Sequence, residues 1–297
     1  MSDTGRSRSA VLAWTAVAVI LVGVVGLVTY ALTHVSTPAT VTQTARTSPA
    51  VLATLSTVPT ATFDQVGVTV PGTVLTAPRV ESGQPALTAG GKPEVLVIGA
   101  EYCPFCAAER WPLVVALARF GRFTVLHDAT SATQSVFPGT ATFSFAGVRY
   151  SSPYVTLTAV ELYSDQVGPN GTFIRIATLT PAQAALVAHY SAATPGTVPF
   201  VDVGGHLVAT AAAFSPALLA GQSQAQIAGL VASPPTPSDT SGTSGPPPTG
   251  QAVVAAANQL TAGICVSTAQ LPANVCRSKG VRAADQSLGL PLPPPAG

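Results

Sequence analysis

Apolar positions occur both as short continuous runs and at helical spacing, and this pattern predicts an α/β domain. Residues 95–98 are all apolar, as in a strand buried on both faces. A helix is predicted from Pro104 to about residue 120, because proline suits a first helical position and Gly121 a helix end. Residues 123–127 predict the next strand. Strand, helix and strand in this order indicate a parallel pair joined by a crossover.

The remainder of the domain, predicted to span residues 63–232, contains an insertion and a hairpin. Residues 129–180 form the insertion, within which residues 140–150 and 154–162 alternate in polarity like extended segments. A helix is predicted from Thr180-Pro181 to about residue 190. Residues 200–210 predict a hairpin turning at Gly204-Gly205, and a last helix follows to about residue 231.

A long uncharged segment near the N-terminus predicts a transmembrane helix. Residues 11–32 carry no charge, and at about 1.5 Å rise per residue they match the hydrocarbon thickness of a bilayer. Arg6 and Arg8 precede the segment, and the next basic residue is Arg46. The positive-inside rule therefore predicts a cytoplasmic N-terminus, residues 1–10, and an extracytoplasmic main domain at the cell membrane. The alternative is a cleaved signal peptide, whose apolar region is shorter, about 7–15 residues.

Biased composition predicts flexible segments around the domain. Residues 33–62 are rich in Ser, Thr, Pro and Ala and read as a flexible tether. Residues 233–250 read as a linker rich in Pro, Ser and Gly. Residues 251–280 predict a C-terminal helix with a cysteine pair, and residues 281–297 a disordered tail.

Composition narrows the classes of function. Only 8% of the 297 residues are charged, and 13 basic residues nearly balance 12 acidic ones, so a nucleic-acid-binding surface is disfavoured. Four cysteines, an even number, are compatible with an oxidising compartment. The histidines are scattered, and we interpret none as catalytic. No cofactor or metal site is indicated.

The segment Cys103-Pro104-Phe105-Cys106 carries the candidate chemistry. At a helix N-terminus, free backbone N–H groups and the helix dipole favour the thiolate of Cys103, which makes it the candidate nucleophile. Cys106, one turn later, would resolve the mixed disulfide. The alternatives are a structural disulfide, a retained fold without activity, or a zinc site. Zinc needs four ligands, and no histidine lies beside either cysteine pair.

Other residues near these motifs receive simpler interpretations. Glu109 and Arg110 are expected on a solvated helix face, the alternative being that they pair or tune the pKa of the cysteines. Glu101 and Tyr102 are expected on the rim of the site. Trp111 is expected in the core. Cys265 and Cys276 are expected to form a structural disulfide, the alternative being a relay pair that exchanges electrons with the first two cysteines.

Several stretches together resemble the family called domain of unknown function 929. They are residues 91–111 with the Cys-x-x-Cys segment, residues 115–121, the strand 199–202, and the region from Ala257 to Cys265 and Cys276. The resemblance implies a thioredoxin-like fold, often placed behind an N-terminal membrane anchor.

A broader resemblance links the chain to thioredoxin and to extracytoplasmic disulfide oxidoreductases. It implies that Cys103 is the nucleophile, Cys106 the resolving cysteine and Pro199 a cis-proline, with Val198 pairing to the substrate backbone. An ordinary edge-strand proline is the alternative for Pro199. One position departs from the pattern: Val97 stands where thioredoxins hold a buried aspartate, which disfavours efficient reduction.

These observations lead to two hypotheses about function. The first is a membrane-anchored extracytoplasmic thiol–disulfide oxidoreductase of oxidase or isomerase type, acting on exported protein thiols or with a membrane redox partner. The second is a non-catalytic thioredoxin-fold binding module of the cell envelope whose cysteines stay locked as a disulfide. A reactive, exposed Cys103 favours the first, and a buried, unreactive pair favours the second.

Overall fold

The computed structural model describes residues 44–191, 198–235 and 248–290. The predicted cytoplasmic N-terminus and transmembrane helix, residues 1–32, lie outside these ranges. Among the helices of the described ranges, none combines the length and the apolar character needed to cross a membrane.

In the described ranges, helices occupy both ends of the chain, and the strands lie between them with two helices interspersed. The helices are α1 (Pro49–Ser56), α2 (Thr60–Val66), α3 (Pro104–Ala118), α4 (Pro181–Tyr190), α5 (Gln224–Ala232), α6 (Thr249–Ser267), α7 (Ala273–Cys276) and α8 (Lys279–Leu288), with a 3₁₀ turn at Pro216–Leu219. The strands are β1 (Arg79–Val80), β2 (Thr88–Ala89), β3 (Lys92–Gly99), β4 (Arg122–Thr130), β5 (Ala141–Ser151), β6 (Thr156–Glu161), β7 (Tyr163–Val167), β8 (Phe173–Arg175), β9 (Phe200–Val203) and β10 (Leu207–Ala209). The mixed α/β class predicted from the sequence is confirmed.

The central strand of the main sheet is β3, whose residues 95–98 are all buried. It pairs antiparallel with β9. Beyond β9, the sheet continues with β10 and then with β1. Strand β3 also pairs parallel with β6, so that Gly99 lies opposite Glu161 at the carboxyl ends of both strands. The short β2 pairs with the start of β3.

The prediction that residues 123–127 supply the parallel partner of β3 is wrong. These residues belong to β4, which pairs antiparallel with β5 in a separate two-stranded sheet. The crossover from β3 to β6 therefore includes α3 and this whole hairpin. The hairpin is tied to α3 by three side-chain hydrogen bonds. The Trp111 indole donates to the carbonyl of Ala141 (2.9 Å), the Thr142 hydroxyl to that of Ala107 (2.8 Å), and the Tyr150 hydroxyl to that of Leu117 (2.8 Å).

Helix α6 covers α3 and is buried along almost its whole length. Its residues are mostly small, which lets neighbouring elements approach closely. A Cβ atom at Gly263 would lie 2.8 Å from the Cδ2 atom of Leu207, a distance that real Cβ contacts essentially never show. Trp111 is fully buried, as predicted.

The flexible tether predicted for residues 33–62 is wrong for its second part. Helices α1 and α2 occupy this region, and Val51, Leu55 and Phe63 are buried. Their Ser, Thr and Pro residues act as helix starts: Ser48 caps α1, with Pro49 at the first helical position. The same composition that suggests a tether therefore also encodes two short helices.

The disordered tail predicted for residues 281–297 is wrong up to residue 290. Helix α8 buries Val281 and Ala284, ends before a left-handed Gly289, and is followed by a buried Leu290. Most of the predicted linker, residues 236–247, lies outside the described ranges. Its last residues already belong to α6.

Candidate functional site

Cys103 occupies the N-cap position of α3. Its Sγ atom accepts a hydrogen bond from the backbone N–H of Cys106 at 3.3 Å, so sulfur takes the place of the usual capping oxygen. The unpaired N–H groups and the dipole of the helix start favour negative charge at this position. The local sequence thus places the N-terminus of α3 at the sulfur of Cys103.

Both cysteines are free thiols, and both are buried. Cys103 is 6% exposed and Cys106 is 1% exposed. They form a small cluster with Ala100, against which Tyr102, Tyr163 and Val198 pack. Of the two sulfurs, that of Cys103 is the more accessible.

The two thiols differ strongly in acidity. A hydrogen bond from the Cys106 thiol, assisted by backbone N–H groups and by the charge of Arg110, lowers the pKa of Cys103 to about 7, although burial opposes this change. Burial, and next the neighbouring Cys103, raise the pKa of Cys106 well above its usual value. The pair therefore combines one easily ionised sulfur with one that stays protonated.

Val198 and Pro199 lie beside the cysteine pair. The carbonyl oxygen of Val198 is 3.9 Å from the Sγ atom of Cys103. The Val198–Pro199 peptide bond is cis, and β9 starts at the next residue. The structure thus brings together all four residues that the sequence selected for catalysis and substrate binding.

A buried ion pair lies behind Cys106. Arg110 donates to both carboxylate oxygens of Glu161, from Nε (2.9 Å) and Nη2 (2.7 Å), and also to the carbonyl of Ala100 (2.9 Å). Both side chains are 2% exposed. A Cβ atom at Gly99 would be 3.2 Å from Glu161 Oε2 and 3.7 Å from the Sγ atom of Cys106, so the pair lies close to that sulfur.

The expectation of a solvated helix face at Glu109 and Arg110 is therefore wrong. Helix α3 is enclosed by neighbouring elements, and no residue from Cys106 to Leu117 reaches solvent. Glu109 accepts one hydrogen bond, from the backbone N–H of Ala213 (2.8 Å), and burial raises its pKa to about 8. Sequence reasoning did not select Glu161. A signal was available, since it is the one ionisable residue in β6 and ends that strand.

The rim expected around Glu101 and Tyr102 is only partly found. Glu101 is buried and accepts a hydrogen bond from the Ser144 hydroxyl. Burial raises the pKa of Glu101. Tyr102 stacks on Phe173 with ring centroids 4.2 Å apart. Phe105, inside the Cys-x-x-Cys segment, is 43% exposed and forms the outer edge of the site.

The second cysteine pair forms the predicted disulfide. Cys265, near the end of α6, is joined to Cys276 in α7, with Cα atoms 5.6 Å apart. Both sulfur-bearing residues are buried. In the described ranges, no group of three or more His, Cys, Asp or Glu residues could hold a metal ion.

Fold and site together define a mixed α/β protein with a free Cys-x-x-Cys pair at the start of a buried helix. The chain belongs to the family named domain of unknown function (DUF929), whose model matches residues 80–266, more than half of the 297 residues. The matched range includes Cys103, Cys106, Arg110, Glu161 and Pro199. No curated protein and no solved structure matches the chain significantly.

Proposed function

We propose that this protein is a thiol–disulfide oxidoreductase of oxidase or isomerase type, built on a thioredoxin-like scaffold. The observation that carries the proposal is the difference between the two thiols: the pKa of Cys103 falls to about 7, and that of Cys106 rises. A redox pair needs this difference, because one sulfur must attack as a thiolate while the other waits as a thiol.

The arrangement of strands supports the scaffold. The cysteine pair follows β3, the parallel β6 comes after the crossover, and Pro199 leads the antiparallel β9 beside Cys103. A proline that leads a strand and faces a Cys-x-x-Cys pair is the arrangement implied by the resemblance to thioredoxins. In this scheme Val198 presents its backbone to the substrate chain.

The chemistry exchanges one disulfide for two thiols. In oxidation, the Cys103–Cys106 bond is broken by a substrate thiolate, which forms a mixed disulfide with Cys103 and releases the Cys106 thiolate. A second substrate thiolate then displaces Cys103, so that the substrate gains a disulfide and the protein becomes a dithiol. In isomerisation, the Cys103 thiolate attacks a substrate disulfide and is later displaced by another substrate thiol.

The surroundings of Cys106 favour oxidation and isomerisation of a substrate over its reduction. Val97 is buried where thioredoxins hold an aspartate. Glu161 is engaged by Arg110, and Glu101 accepts a hydrogen bond from Ser144. Reduction of a substrate requires that the proton of Cys106 be removed. None of these carboxylates is free to accept it.

The proposed location is outside the cytoplasm, anchored by residues 11–32. The Cys265–Cys276 disulfide supports this location, since such bonds persist in oxidising compartments. Exported protein thiols, or a redox partner in the membrane, would then be the reaction partners.

The decisive experiment is a redox titration of the full-length protein in glutathione buffers, with quantification of the alkylated peptide that contains Cys103 and Cys106. We expect a reversible transition between about −120 and −270 mV. A pair that resists reduction below about −300 mV is a structural disulfide and contradicts the proposal. The matched variants are Cys106→Ser and Cys103→Ser, each mixed with a substrate protein that contains a disulfide. In Cys106→Ser, the Cys103 thiolate is expected to attack that disulfide, release one substrate thiolate and remain trapped as the mixed disulfide, whereas Cys103→Ser is expected to form none.

The second candidate is the binding module with locked cysteines. The low exposure of Cys103 and Cys106, 6% and 1%, favours it, because a substrate must reach a largely covered sulfur. The same titration separates the candidates: the module requires a pair that stays oxidised in every glutathione buffer.

A further inference from the structure

A cavity of about 510 Å³ lies on one face of the β4–β5 sheet. Residues 44–47 run beside β4 and form an isolated β-bridge with it. The backbone N–H of Thr47 donates to the carbonyl of Leu126 (2.9 Å), and that of Asp128 to the carbonyl of Ala45 (2.8 Å). These bonds place Arg46 directly opposite His127.

Strand pairing places the polar side chains of the cavity in a row. His127 lies opposite Ser144 of β5, and Val125, two residues earlier, lies opposite Arg149. Residues directly opposite each other across strands point to the same face. Arg46, His127 and Ser144 therefore share one face. The register shifts between the His127 and Val125 pairs, and beyond this shift Arg149 lines the same cavity as the other three residues.

The cavity carries excess positive charge. Neither Arg46 nor Arg149 makes an ion pair or a side-chain hydrogen bond with any described residue. The two ion pairs of the described ranges are Arg79–Glu81 and Arg110–Glu161. Glu101 is the acidic residue of the lining, and it accepts the Ser144 hydroxyl. The lining therefore holds two guanidinium groups against one carboxylate.

We propose that this cavity binds a small organic anion through a carboxylate or phosphate group held between Arg46 and Arg149. The guanidinium group offers paired N–H donors that match both oxyanions. The volume is in the range of small-molecule sites, about 300–1,000 Å³. His127 adds a further polar side chain to the lining.

This site is separate from the cysteine pair. Neither Cys103 nor Cys106 lines the cavity. The inference therefore goes beyond the proposed redox function and does not depend on it.

The test is calorimetric titration of the full-length protein in detergent with inorganic phosphate and, separately, with succinate, at constant ionic strength. We expect one or both to bind with a dissociation constant at or below the millimolar range. The preferred probe identifies whether the ligand group is a phosphate or a carboxylate. Failure of both to bind at about 10 mM overturns the proposal.

Three variants locate the binding. Arg46→Gln and Arg149→Gln are each expected to weaken binding about tenfold or more, since each removes charge-assisted hydrogen bonds. The matched control is Arg122→Gln, an exposed position of β4 outside this cavity, which is expected to bind like wild type. Unchanged binding by both cavity variants, or an equal loss in the control, overturns the assignment.

A fourth variant separates this site from the redox site. Replacement of Cys103 and Cys106 together by serine is expected to leave the affinity unchanged. A lost affinity in that variant contradicts the placement of the anion in the Arg46–Arg149 cavity. A redox titration that fails while the anion still binds contradicts only the proposed redox function.

Discussion

Replacing Glu161 by glutamine tests the role of the buried ion pair behind Cys106. The substitution keeps the shape of the side chain and an oxygen that can accept from Arg110 and from the backbone N–H of Phe145. It removes the negative charge that compensates the buried guanidinium group. Arg110 then retains its full charge at 2% exposure, with the carbonyl of Ala100 as its other acceptor.

The expected cost is large compared with the stability of a domain. Removing one partner of a buried ion pair costs about 3–5 kcal/mol, because the other charge is left uncompensated. A typical domain is stable by about 5–15 kcal/mol, so Glu161→Gln should fold but unfold at a clearly lower urea concentration.

The structure provides a matched control in its other ion pair. Arg79 and Glu81 are 2.9 Å apart, but their side chains are 60% and 18% exposed. Glu81→Gln should therefore change the free energy of unfolding by less than about 1 kcal/mol. The double variant Arg110→Met/Glu161→Met removes both buried charges and should recover part of the loss seen in Glu161→Gln.

The same variant should alter the acidity of Cys106. The charge of Glu161 raises the pKa of Cys106, and that of Arg110 lowers it. Glu161→Gln should therefore lower the pKa of Cys106, measured as alkylation rate against pH. The reasoning is refuted if Glu161→Gln is as stable as wild type, or if the double variant is less stable than the single one.

Three further predictions concern the cysteines and Glu109. The alkylation rate of Cys103 should rise with pH, with a midpoint near pH 7. In Cys106→Ala this midpoint should shift to higher pH, because the wild-type hydrogen bond from the Cys106 thiol lowers the pKa of Cys103 and the variant lacks it. An unchanged midpoint would contradict that cause. Replacing Cys265 and Cys276 by alanine should cost about 3 kcal/mol in urea unfolding, from the loop entropy of their 11-residue separation, and no loss would exclude a stabilising role. Burial raises the pKa of Glu109 above that of the unfolded chain, so the folded state binds more protons and stability falls as pH rises from about 4.5 to about 8. Glu109→Gln should flatten this decline in urea unfolding measured across that range, and an equally steep decline in the variant would locate the effect elsewhere.

Local sequence was sufficient for the features that depend on neighbouring residues. The run at residues 95–98 specifies a buried strand, and Pro104 after Cys103 specifies a helix start that acts on the sulfur of Cys103. The Cys265–Cys276 disulfide was also predicted, because the two residues are close along the chain. In each case the physical cause acts over a few residues.

Composition misled at both ends of the domain. Ser48 and Pro49 belong to a segment rich in tether-like residues, yet they start a helix whose Val51 and Leu55 are buried. Apolar residues at helical spacing also stabilise α8, most of which was predicted to belong to a disordered tail. A short helix of low propensity is stabilised by tertiary packing, which composition does not reveal.

Only the tertiary structure decided which distant residues meet. Arg110 and Glu161 are 51 positions apart, and they pair because β6, rather than β4, lies parallel to β3. Arg46, His127 and Ser144 likewise line one cavity because three separate segments of the chain lie side by side. The sequence by itself thus determined the Cys-x-x-Cys pair at a helix start and the elements on either side of it. The ion pair and the cavity arose from long-range pairing, because strand partners and buried charges are selected by packing over the whole domain.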